Sequence, residues 1–361
     1  MGSIVRKKIP MSDFPPPTPR WWLARLPAVF SDLAADIAPG MDVKGGEGDY
    51  RRIDGPGPEI PVTPDARMFL RWWLPVHHAW PCDPAKTARF VEKAANAVVR
   101  KFGAHRPKAL LAGAFQPMAR GGYFRKLASN LRGRAIQVMP EADARPDSLA
   151  PDDPVVFIMV GRTGLFCGLR TPCQANGFHP GGTRFIRQAG GGVPSRAGAK
   201  IAEALHHMRL LMEPPPPGSH WLELGASPGG MTAELTRHGH RVTAIDRAPL
   251  HPSLDDNDRV EFIRADVARW KPGATRRHDA LLCDMNGPAA ASFAEVVRLS
   301  DCLRPGAPVI FTLKTAGADD FAKITDSHRL VLATAARAGL RHLQTTHLTY
   351  NRREFTVFFS R

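Results

Sequence analysis

The sequence lacks long apolar runs and has few cysteines. No stretch of about 18 or more uncharged apolar residues occurs, so we expect no membrane-spanning helix. The first residues include lysines but no apolar core of the kind that secretory signals need. The five cysteines are scattered and form no C-x-x-C pair. Free thiols are typical of a reducing compartment, so we expect a cytoplasmic protein with no metal site.

The sequence also lacks the phosphate-binding fingerprints of nucleotide sites. It contains neither the G-x-G-x-x-G of a dinucleotide loop nor the G-x-x-x-x-G-K-[ST] of a nucleoside triphosphate loop. These absences argue against NAD-dependent oxidoreductases and P-loop NTPases.

Acidic residues are in the minority. The chain has 34 Asp and Glu against 49 Lys and Arg, a formal charge of +15. Such an excess favours a polyanionic partner, since arginine and lysine neutralise phosphates and release counterions. The alternative is a basic surface that only contacts solvent.

Composition and patterning divide the chain into four parts. Residues 1–65 are rich in proline, glycine and charge, and we predict a partly disordered extension with a small subdomain. Residues 66–175 alternate strand-like and helix-like segments in a small α+β domain, and 176–194 form a glycine-rich linker. Residues 195–361 alternate strands and helices with short connections, which predicts a Rossmann-like, mostly parallel sheet. The last two strands are predicted to form an antiparallel hairpin at its edge, joined by a tight NRR turn.

Several local patterns are specific enough to test. The apolar spacing of RWWLARLPAVFSDLAADI, 20–37, predicts a helix, and a helix is also predicted over 83–102 with Asp83 as its N-cap. The segment YFRKLASNLRG predicts a helix that ends at Gly133. The segment DPVVFIMVGRTGLFCGLRTP predicts a hairpin that turns at Gly161–Gly164.

The segment ELGASPGGMTAEL, 223–235, lies at a predicted strand-to-helix junction. Glycine there allows backbone to approach a ligand closely. Asp246 and Asp266 end the next two predicted strands, where carboxylates can accept hydrogen bonds from ribose hydroxyls. Glu223 would place negative charge beside a phosphate. S-adenosylmethionine carries a sulfonium and an amino group instead of phosphates, so the sequence favours it as cofactor.

Lysine is scarce in the carboxyl-terminal half. After residue 196 only Lys200, Lys271, Lys314 and Lys323 occur. Lys314 closes the apolar segment PVIFTLK, where a solvated cation is unexpected, and Asp284 closes ALLCDM. In a doubly wound sheet the carboxyl ends of parallel strands border one crevice. We therefore expect these side chains to meet, although ordinary ion pairs would also explain the lysines.

Five motifs resemble those of the FtsJ/RrmJ-like RNA 2′-O-ribose methyltransferases. They are SRAGAKIAEAL, LELGASPGGMTAEL, LLCDMNGP, VIFTLK and RREFTVFF, in the family's order, and the resemblance covers about 190–361. The family carries a Lys–Asp–Lys–Glu tetrad, which the matching motifs assign to Lys200, Asp284, Lys314 and Glu354. We assign Lys314 as general base, provided that burial and the second cation Lys200 lower its pKa toward neutrality.

The resemblance also implies a cofactor site. Asp284 is expected close to the methyl donor and Glu354 to orient a lysine. The residues expected to contact S-adenosylmethionine are Ser195, Glu223, Gly225, Ala226, Ser227, Pro228, Gly229, Gly230, Met231, Asp246, Asp266 and Asp284.

The amino-terminal half suggests a narrower resemblance. FLRWWLPV, the predicted hairpin and the pairing of CDM with TLK are similar to the RlmM-type 23S ribosomal RNA cytidine 2′-O-methyltransferases, in which a THUMP RNA-binding domain precedes the catalytic domain. Residues 66–175 match this arrangement in architecture more than in sequence, and residues before 66 depart most. The resemblance implies a THUMP-like domain there and ribosomal RNA as the partner.

Basic and aromatic residues interleave at several places, which is typical of RNA contacts. The candidate RNA-binding residues are Arg184, Arg187, Arg196, Arg352 and Arg353. Trp72 and Trp73 fit a buried core better than an RNA face.

Two other interpretations stay open. The chain could methylate another RNA by the same chemistry, or it could be a non-catalytic RNA-binding or ribosome-assembly factor that keeps the fold. Base C5 methylation would need a cysteine nucleophile, and Cys283 fits a core position better. We expect a monomer or a weak oligomer that does not bind membranes.

Overall fold

A computed structural model describes residues 18–19, 21–39, 43–116, 122–186, 194–273, 277–315 and 317–361. The chain forms two compact units. The first comprises the described residues of Met1–Arg25, Gly40–Pro61 and Trp72–Gly181, and the second those of Leu26–Pro39, Val62–Arg71 and Gly182–Arg361.

The first unit contains two four-stranded sheets and two long helices. Its strands are β1 Trp21–Arg25, β2 Val43–Gly45, β3 Tyr50–Asp54, β4 Trp72–Pro75, β5 His78–Pro81, β6 Ala109–Ala114, β7 Val155–Gly161 and β8 Gly164–Arg170. The sheets have the orders β2-β3-β1-β4 and β5-β8-β7-β6. Only the β6–β7 pair is parallel within them.

Two helices cover the second of these sheets. Phe90–Phe102 and Tyr123–Val138 pack together with Leu110, Ile158 and Leu165 in one apolar core. Burial of this apolar surface is the main source of stability for such a layer.

The second unit is a seven-stranded sheet with helices on both faces. Its elements are helices α1 Ala34–Ile37, α2 Pro64–Arg67, α5 Gly198–Met208, α6 Gly230–Arg237, α7 Ala289–Leu299 and α8 Phe321–Arg337, with strands β9 His220–Leu224, β10 Arg241–Asp246, β11 Val260–Arg264, β12 Ala280–Cys283, β13 Pro308–Lys314, β14 Arg341–Thr346 and β15 Glu354–Ser360. The two long helices of the first unit, Phe90–Phe102 and Tyr123–Val138, are α3 and α4.

The sheet order is β11-β10-β9-β12-β13-β15-β14. The first five strands are parallel, whereas β15 is antiparallel to both of its neighbours. The chain runs outward from β9 through β10 to β11 and then returns to place β12 on the other side of β9. The carboxyl ends of β9 and β12 therefore border the crevice at the switch point, where ligands bind in open α/β sheets.

Alternate residues of the strands face opposite layers. Ile310 and Phe358 pack with α5 and α6 in one apolar cluster. The neighbouring Phe311 and Phe359 lie instead against Phe293 of α7, with ring centroids 5.0 and 5.2 Å apart. The strands are thus buried on both faces, as their apolar sequences require.

The structure confirms the Rossmann-like character of the carboxyl-terminal part and the hairpin at Gly161–Gly164. Three local predictions are wrong. Residues 21–25 form a strand rather than a helix, because β1 pairs on both sides. The helix predicted from Asp83 begins at Phe90, since Asp83 caps a turn by accepting from the Ala85 N–H. Helix α4 continues past Gly133 to Val138.

The edge of the large sheet also differs from the prediction. The hairpin of β14 and β15 exists, but residues 347–353 connect it rather than the tight NRR turn. The described residues up to position 65 do not form one region, because the compact units divide them.

Candidate active site

The sheet order brings the four residues of the expected tetrad to one edge. Lys314 is the last residue of β13, and Asp284 follows the end of β12. Glu354 opens the antiparallel strand β15 and pairs in register with Lys314. Because an antiparallel strand begins where its parallel neighbours end, all three side chains lie at the same edge. Lys200 reaches it from the first turn of α5.

The four charges alternate around the site. Lys314 Nζ lies 2.9 Å from Asp284 Oδ1 and 3.5 Å from Glu354 Oε2. Lys200 Nζ lies 3.6 Å from Asp284 Oδ2 and also contacts Glu354 Oε1. Each lysine therefore contacts both carboxylates, and each carboxylate contacts both lysines. The side chains are between 9% and 21% exposed, so the site is half-buried but open to a substrate.

The electrostatic balance favours the charged form of Lys314. Burial lowers its pKa most strongly, but the attraction of Asp284 and Glu354 together exceeds this, and the pKa is raised above its usual value. Burial likewise raises the pKa of Glu354, but Lys200, Lys314 and Asn351 outweigh it and the pKa is lowered. Our expectation that Lys314 has a lowered pKa is therefore wrong for the protein without ligands.

The glycine loop joins β9 to α6. Gly225 has φ +79°, and a Cβ there would lie 3.0 Å from Met285 Cα. A Cβ on Gly230 would lie 2.9 Å from the Ser195 carbonyl oxygen. Glycine is thus required at these two positions because other protein atoms lie close to them. The sequence suggested only that a ligand approaches the backbone there. These contacts pack the segment after β12 and the start of α5 against the loop.

Other loop positions differ in exposure. Ala226, Gly229 and Met231 are buried, Ser227 is half-buried, and Pro228 is exposed. Ser195 is half-buried, and its Oγ accepts a hydrogen bond from Ala197 N at 3.2 Å.

Segment 249–254, which sequence reasoning missed, supports this loop. Ser227 Oγ donates to the Pro249 carbonyl at 2.8 Å, and the His251 N–H donates to the Pro228 carbonyl at 3.0 Å. The segment carries no motif, so only the fold reveals this role.

Glu223 does not act as a surface charge. It is 2% exposed, and Thr232 Oγ1 donates to its Oε2 at 2.7 Å. Burial raises its pKa to about 8, and Asp284 and Asp246 add to the increase while Thr232 opposes it. The side chain is therefore mostly neutral at pH 7, so our argument that it repels phosphate is wrong.

Asp246 and Asp266 follow neighbouring strands. Asp246 ends β10, and its carboxylate accepts from Ser227 N at 3.0 Å and Ala248 N at 2.9 Å. Asp266 lies two residues after β11, and Oδ1 accepts from Ala268 N at 3.0 Å. Each carboxylate oxygen has a second lone pair, so both groups could still accept from a ligand hydroxyl.

Three of the candidate RNA-binding arginines are exposed. Arg352 and Arg353 directly precede Glu354, and Arg196 lies one turn before Lys200. Arg184 is half-buried and has interactions of its own. Arg187 lies outside the described residues.

Burial limits the roles that Cys283, Trp72 and Trp73 can have. Cys283 is fully buried, and burial raises the pKa of its thiol to about 12, so it is not a nucleophile. Trp72 and Trp73 are buried, as predicted.

Within the described residues no group of three His, Cys, Asp or Glu side chains could hold a metal ion. No helix in that part of the chain has the length and apolar character to cross a membrane.

Comparison with known proteins finds similarity for part of the second unit. The family model of FtsJ-like methyltransferases matches residues 193–323. Three relatives carry the name ribosomal RNA large subunit methyltransferase M. The one from Halorhodospira halophila is 36% identical over 170 residues, which cover 47% of this chain and 48% of the relative. The relative from Xylella fastidiosa 9a5c is 38% identical over 46% of this chain and 47% of its own length. The relative from Azoarcus sp. BH72 is 30% identical over 58% of this chain and 57% of its own length.

The matches span about half the length of most of these relatives. Among solved structures, Aeropyrum pernix fibrillarin aligns with 56% of this chain and 81% of its own, at 16% identity and a TM-score of only 0.36. The sequence match to the family model is therefore the stronger finding. The matched residues 193–323 include Lys200, Asp284 and Lys314.

Proposed function

We propose that this protein is an S-adenosylmethionine-dependent RNA 2′-O-ribose methyltransferase that acts on ribosomal RNA. The observation that carries the proposal is the alternating cluster of Lys200, Asp284, Lys314 and Glu354 at the switch-point edge of the sheet. Two lysines held by two carboxylates beside a glycine loop suit the activation of a hydroxyl group better than any other chemistry considered above.

The residues around the glycine loop fit S-adenosylmethionine. Asp246 and Asp266 follow β10 and β11 at the edge where the loop begins, and their carboxylates can accept from ribose hydroxyls and an amino group. No phosphate loop motif occurs in the sequence. When bound, this cofactor supplies an electrophilic methyl group on a sulfonium sulfur.

Asp284 adjoins the end of β9 that leads into the loop. Its N–H donates to the Leu224 carbonyl at 3.2 Å, and the adjacent Met285 packs on Gly225. We assign to Asp284 the task of holding Lys314 beside the methyl donor. Much of the rate comes from such placement of the reacting atoms.

In the reaction, Lys314 Nζ would accept the proton of the ribose 2′-hydroxyl as its oxygen attacks the methyl group. The bound cofactor would supply that methyl group, with S-adenosylhomocysteine as the leaving group. Lys314 must be neutral to accept the proton, yet two carboxylates keep it charged in the free protein. A sulfonium cation near Asp284 would offset these carboxylates and lower the pKa of Lys314.

The RNA surface is assigned to Arg196, Arg352 and Arg353, together with Arg184 and Arg187 of the linker. The first three are exposed beside tetrad residues. The first unit, with its mixed sheet of β5 to β8 and two helices, would serve as a THUMP-like RNA-binding domain. By the RlmM-type resemblance, the target is a cytidine 2′-hydroxyl of 23S ribosomal RNA in the cytoplasm.

A non-catalytic RNA-binding or assembly factor remains the second candidate, and another RNA is an alternative substrate. The half-buried tetrad argues against the non-catalytic factor. Burying four charges without a catalytic use costs desolvation energy that apolar residues would avoid.

Methyl transfer from labelled S-adenosylmethionine to RNA lacking the modification tests the proposal. We expect label on one ribose, mapped by resistance of the adjacent phosphodiester to alkaline hydrolysis. Label on a base would refute the chemistry, and label on a ribose of a different RNA would correct the substrate. No label in any RNA would favour the assembly factor.

Replacing the general base gives a sharper test. Lys314→Ala should lower the single-turnover rate by about 100- to 10,000-fold, the usual contribution of acid–base catalysis, and leave cofactor affinity within a few-fold. Lys323→Ala removes an exposed lysine of α8 and should leave the rate unchanged. A Lys314→Ala rate equal to that of the control would refute the role of Lys314.

A further inference from the structure

A buried arginine from the amino-terminal half binds the loop that leads into Glu354. Arg71 is 7% exposed and belongs to the second unit. Its Nε donates to the His347 carbonyl at 3.2 Å, and Nη2 donates to the Leu348 carbonyl at 3.0 Å. The same Nη2 lies 3.0 Å from His347 Nδ1. The forked guanidinium thus contacts three acceptors of a loop that is 276 positions distant in sequence.

The histidine tautomer agrees with this arrangement. Burial, and next the charge of Arg71, lowers the pKa of His347 to about 3, so the ring is neutral. Nε2 lies 2.8 Å from the Arg352 carbonyl, which only accepts hydrogen bonds. The proton therefore resides on Nε2, and Nδ1 accepts from Arg71. Arg71 and Arg352 are in this way connected through one imidazole.

Residues close in sequence to Lys200 and Lys314 also bind the loop 347–353. Glu203 lies one turn after Lys200 on α5 and accepts from Thr349 Oγ1 at 2.5 Å and Tyr350 N at 3.3 Å. Thr315 follows Lys314, and its N–H and hydroxyl donate to the Arg353 carbonyl at 3.3 and 3.0 Å. Arg71 provides a third attachment, and it comes from outside the family-model match, as does Ile186, which binds the Tyr350 hydroxyl.

Aromatic packing continues the connection past Glu354. Phe30 stacks on Phe355 with ring centroids 5.1 Å apart and planes 8° apart, and it meets the His347 ring edge-on at 5.2 Å. Phe69 meets Phe355 edge-on at 5.2 Å. The residues on both sides of Glu354 are therefore fixed by Leu26–Pro39 and Val62–Arg71.

We propose that Arg71 is a positioning residue that sets the placement of Glu354 against Lys200 and Lys314, so that a residue of the amino-terminal half controls the reaction rate without touching the reacting atoms. This inference rests on the proposed function. Asp284 and Glu354 are the carboxylates that contact Lys314 among the described residues, and Lys200 contacts both of them. Loosening Glu354 would leave Asp284, at 2.9 Å, as the main partner of Lys314.

The test compares Arg71→Lys with Glu354→Gln. Lysine keeps the charge and the apolar stem but cannot donate in the forked geometry. We expect Arg71→Lys to lower kcat about 10- to 100-fold, the cost of a small misplacement, with little change in cofactor affinity. Glu354 contributes to the raised pKa of Lys314. Both variants should therefore lower the pKa of Lys314. The part of the pH–rate profile in which the rate rises with pH should then move to lower pH.

A double-mutant cycle separates positioning from general weakening. If Arg71 acts through Glu354, Arg71→Lys adds little to the rate loss or pH shift of Glu354→Gln, whereas independent effects would multiply. Arg329→Lys is the matched control. Arg329 of α8 also binds the segment Val62–Arg71, through Asp65 at 2.6 Å, but lies away from loop 347–353. It should leave kcat and the pH profile unchanged.

The outcomes are distinct. An Arg71→Lys protein that is less stable but keeps the kcat and pH profile of the wild type overturns the inference, as does a fully multiplicative cycle. If the wild-type protein transfers no methyl group, the proposed function fails instead. In that case NMR titration of the Lys314 side chain still tests the inference, because Arg71→Lys should lower its pKa and Arg329→Lys should not.

Discussion

At the scale of single residues, the site contains a conflict that the sequence does not reveal. A lysine at the end of an apolar strand is expected to lose its proton readily, because burial penalises charge. Lys314 instead contacts Asp284 and Glu354, and its pKa is raised. The free protein is therefore arranged to keep the lysine charged. In the proposed mechanism, catalysis by Lys314 depends on what the cofactor and RNA add to the local charge.

Glu223 provides a prediction about stability and pH. Its pKa is about 8 in the folded protein against an ordinary 4.5, so folding favours the protonated form. The contribution of this group to stability is complete below about pH 4.5 and is lost as pH rises through about 8. Over that range the free energy of unfolding should fall by up to about 1.4 kcal/mol per pH unit.

Urea unfolding of the wild-type protein and Glu223→Gln at several pH values measures this effect. Glutamine keeps an acceptor for Thr232 but has no proton to lose, so the advantage of the wild type over the variant should shrink between pH 5 and about 8. A difference between the two proteins that does not change with pH would contradict the raised pKa.

At the scale of elements, the regular strands and helices of the second unit could be predicted from sequence, and the irregular segments could not. Strands such as PVIFTLK are apolar on both faces and lie between short loops, so pattern alone identifies them. The helix predicted over residues 21–25 was wrong because the apolar spacing also fits a strand, and the pairing with β3 and β4 on both sides decides for the strand.

Part of the tetrad was predictable for the same reason. Lys314 and Asp284 lie at the carboxyl ends of parallel strands, which the doubly wound topology brings to one crevice. Lys200 of α5 and Glu354 at the start of β15 were assigned by the resemblance to the family. The support given by Arg71, His347 and segment 249–254 was not predictable, because those residues carry no motif and act through contacts between distant parts of the sequence.

The glycine loop makes a prediction at this scale. Gly225→Ala would force φ +79° on a residue with a Cβ and bring that atom 3.0 Å from Met285 Cα. We expect cofactor affinity to fall about 10-fold or more, because the loop and the segment after Asp284 must separate. Isothermal titration with S-adenosylhomocysteine measures it.

Gly133 is the matched control. It lies inside α4 with no atom within 4 Å of the added Cβ, so Gly133→Ala should raise stability by about 0.5 to 1 kcal/mol and leave cofactor affinity unchanged. Equal cofactor affinity in the two variants would show that the loop conformation is not needed for binding.

At the scale of the whole molecule, the second unit is not a contiguous piece of chain. Leu26–Pro39 and Val62–Arg71 belong to it, and Phe30 is 3% exposed against Phe355 and Phe69. Phe30→Ala in the full chain should therefore destabilise this unit by about 3 to 5 kcal/mol, the cost of a large buried cavity.

Thermal unfolding followed by near-ultraviolet circular dichroism checks this, with cofactor added to identify the transition of the second unit. Leu330→Ala, at a side chain that is 51% exposed on α8, should change the midpoint very little. Equal midpoints for the two variants would mean that the amino-terminal segments are not part of the folded core.

The formal charge of +15 makes the last prediction. If the excess is used on phosphates, RNA affinity should fall steeply between about 50 and 200 mM salt, because each neutralised phosphate releases counterions. Replacing Arg352 and Arg353 by glutamine should reduce the slope of log affinity against log salt by about 0.7 to 0.9 for each arginine that neutralises a phosphate. Filter binding at several salt concentrations measures both slopes. A flat response of the wild type would mean that the charge only solubilises the protein, and an unchanged slope in the variant would remove these two arginines from the RNA surface.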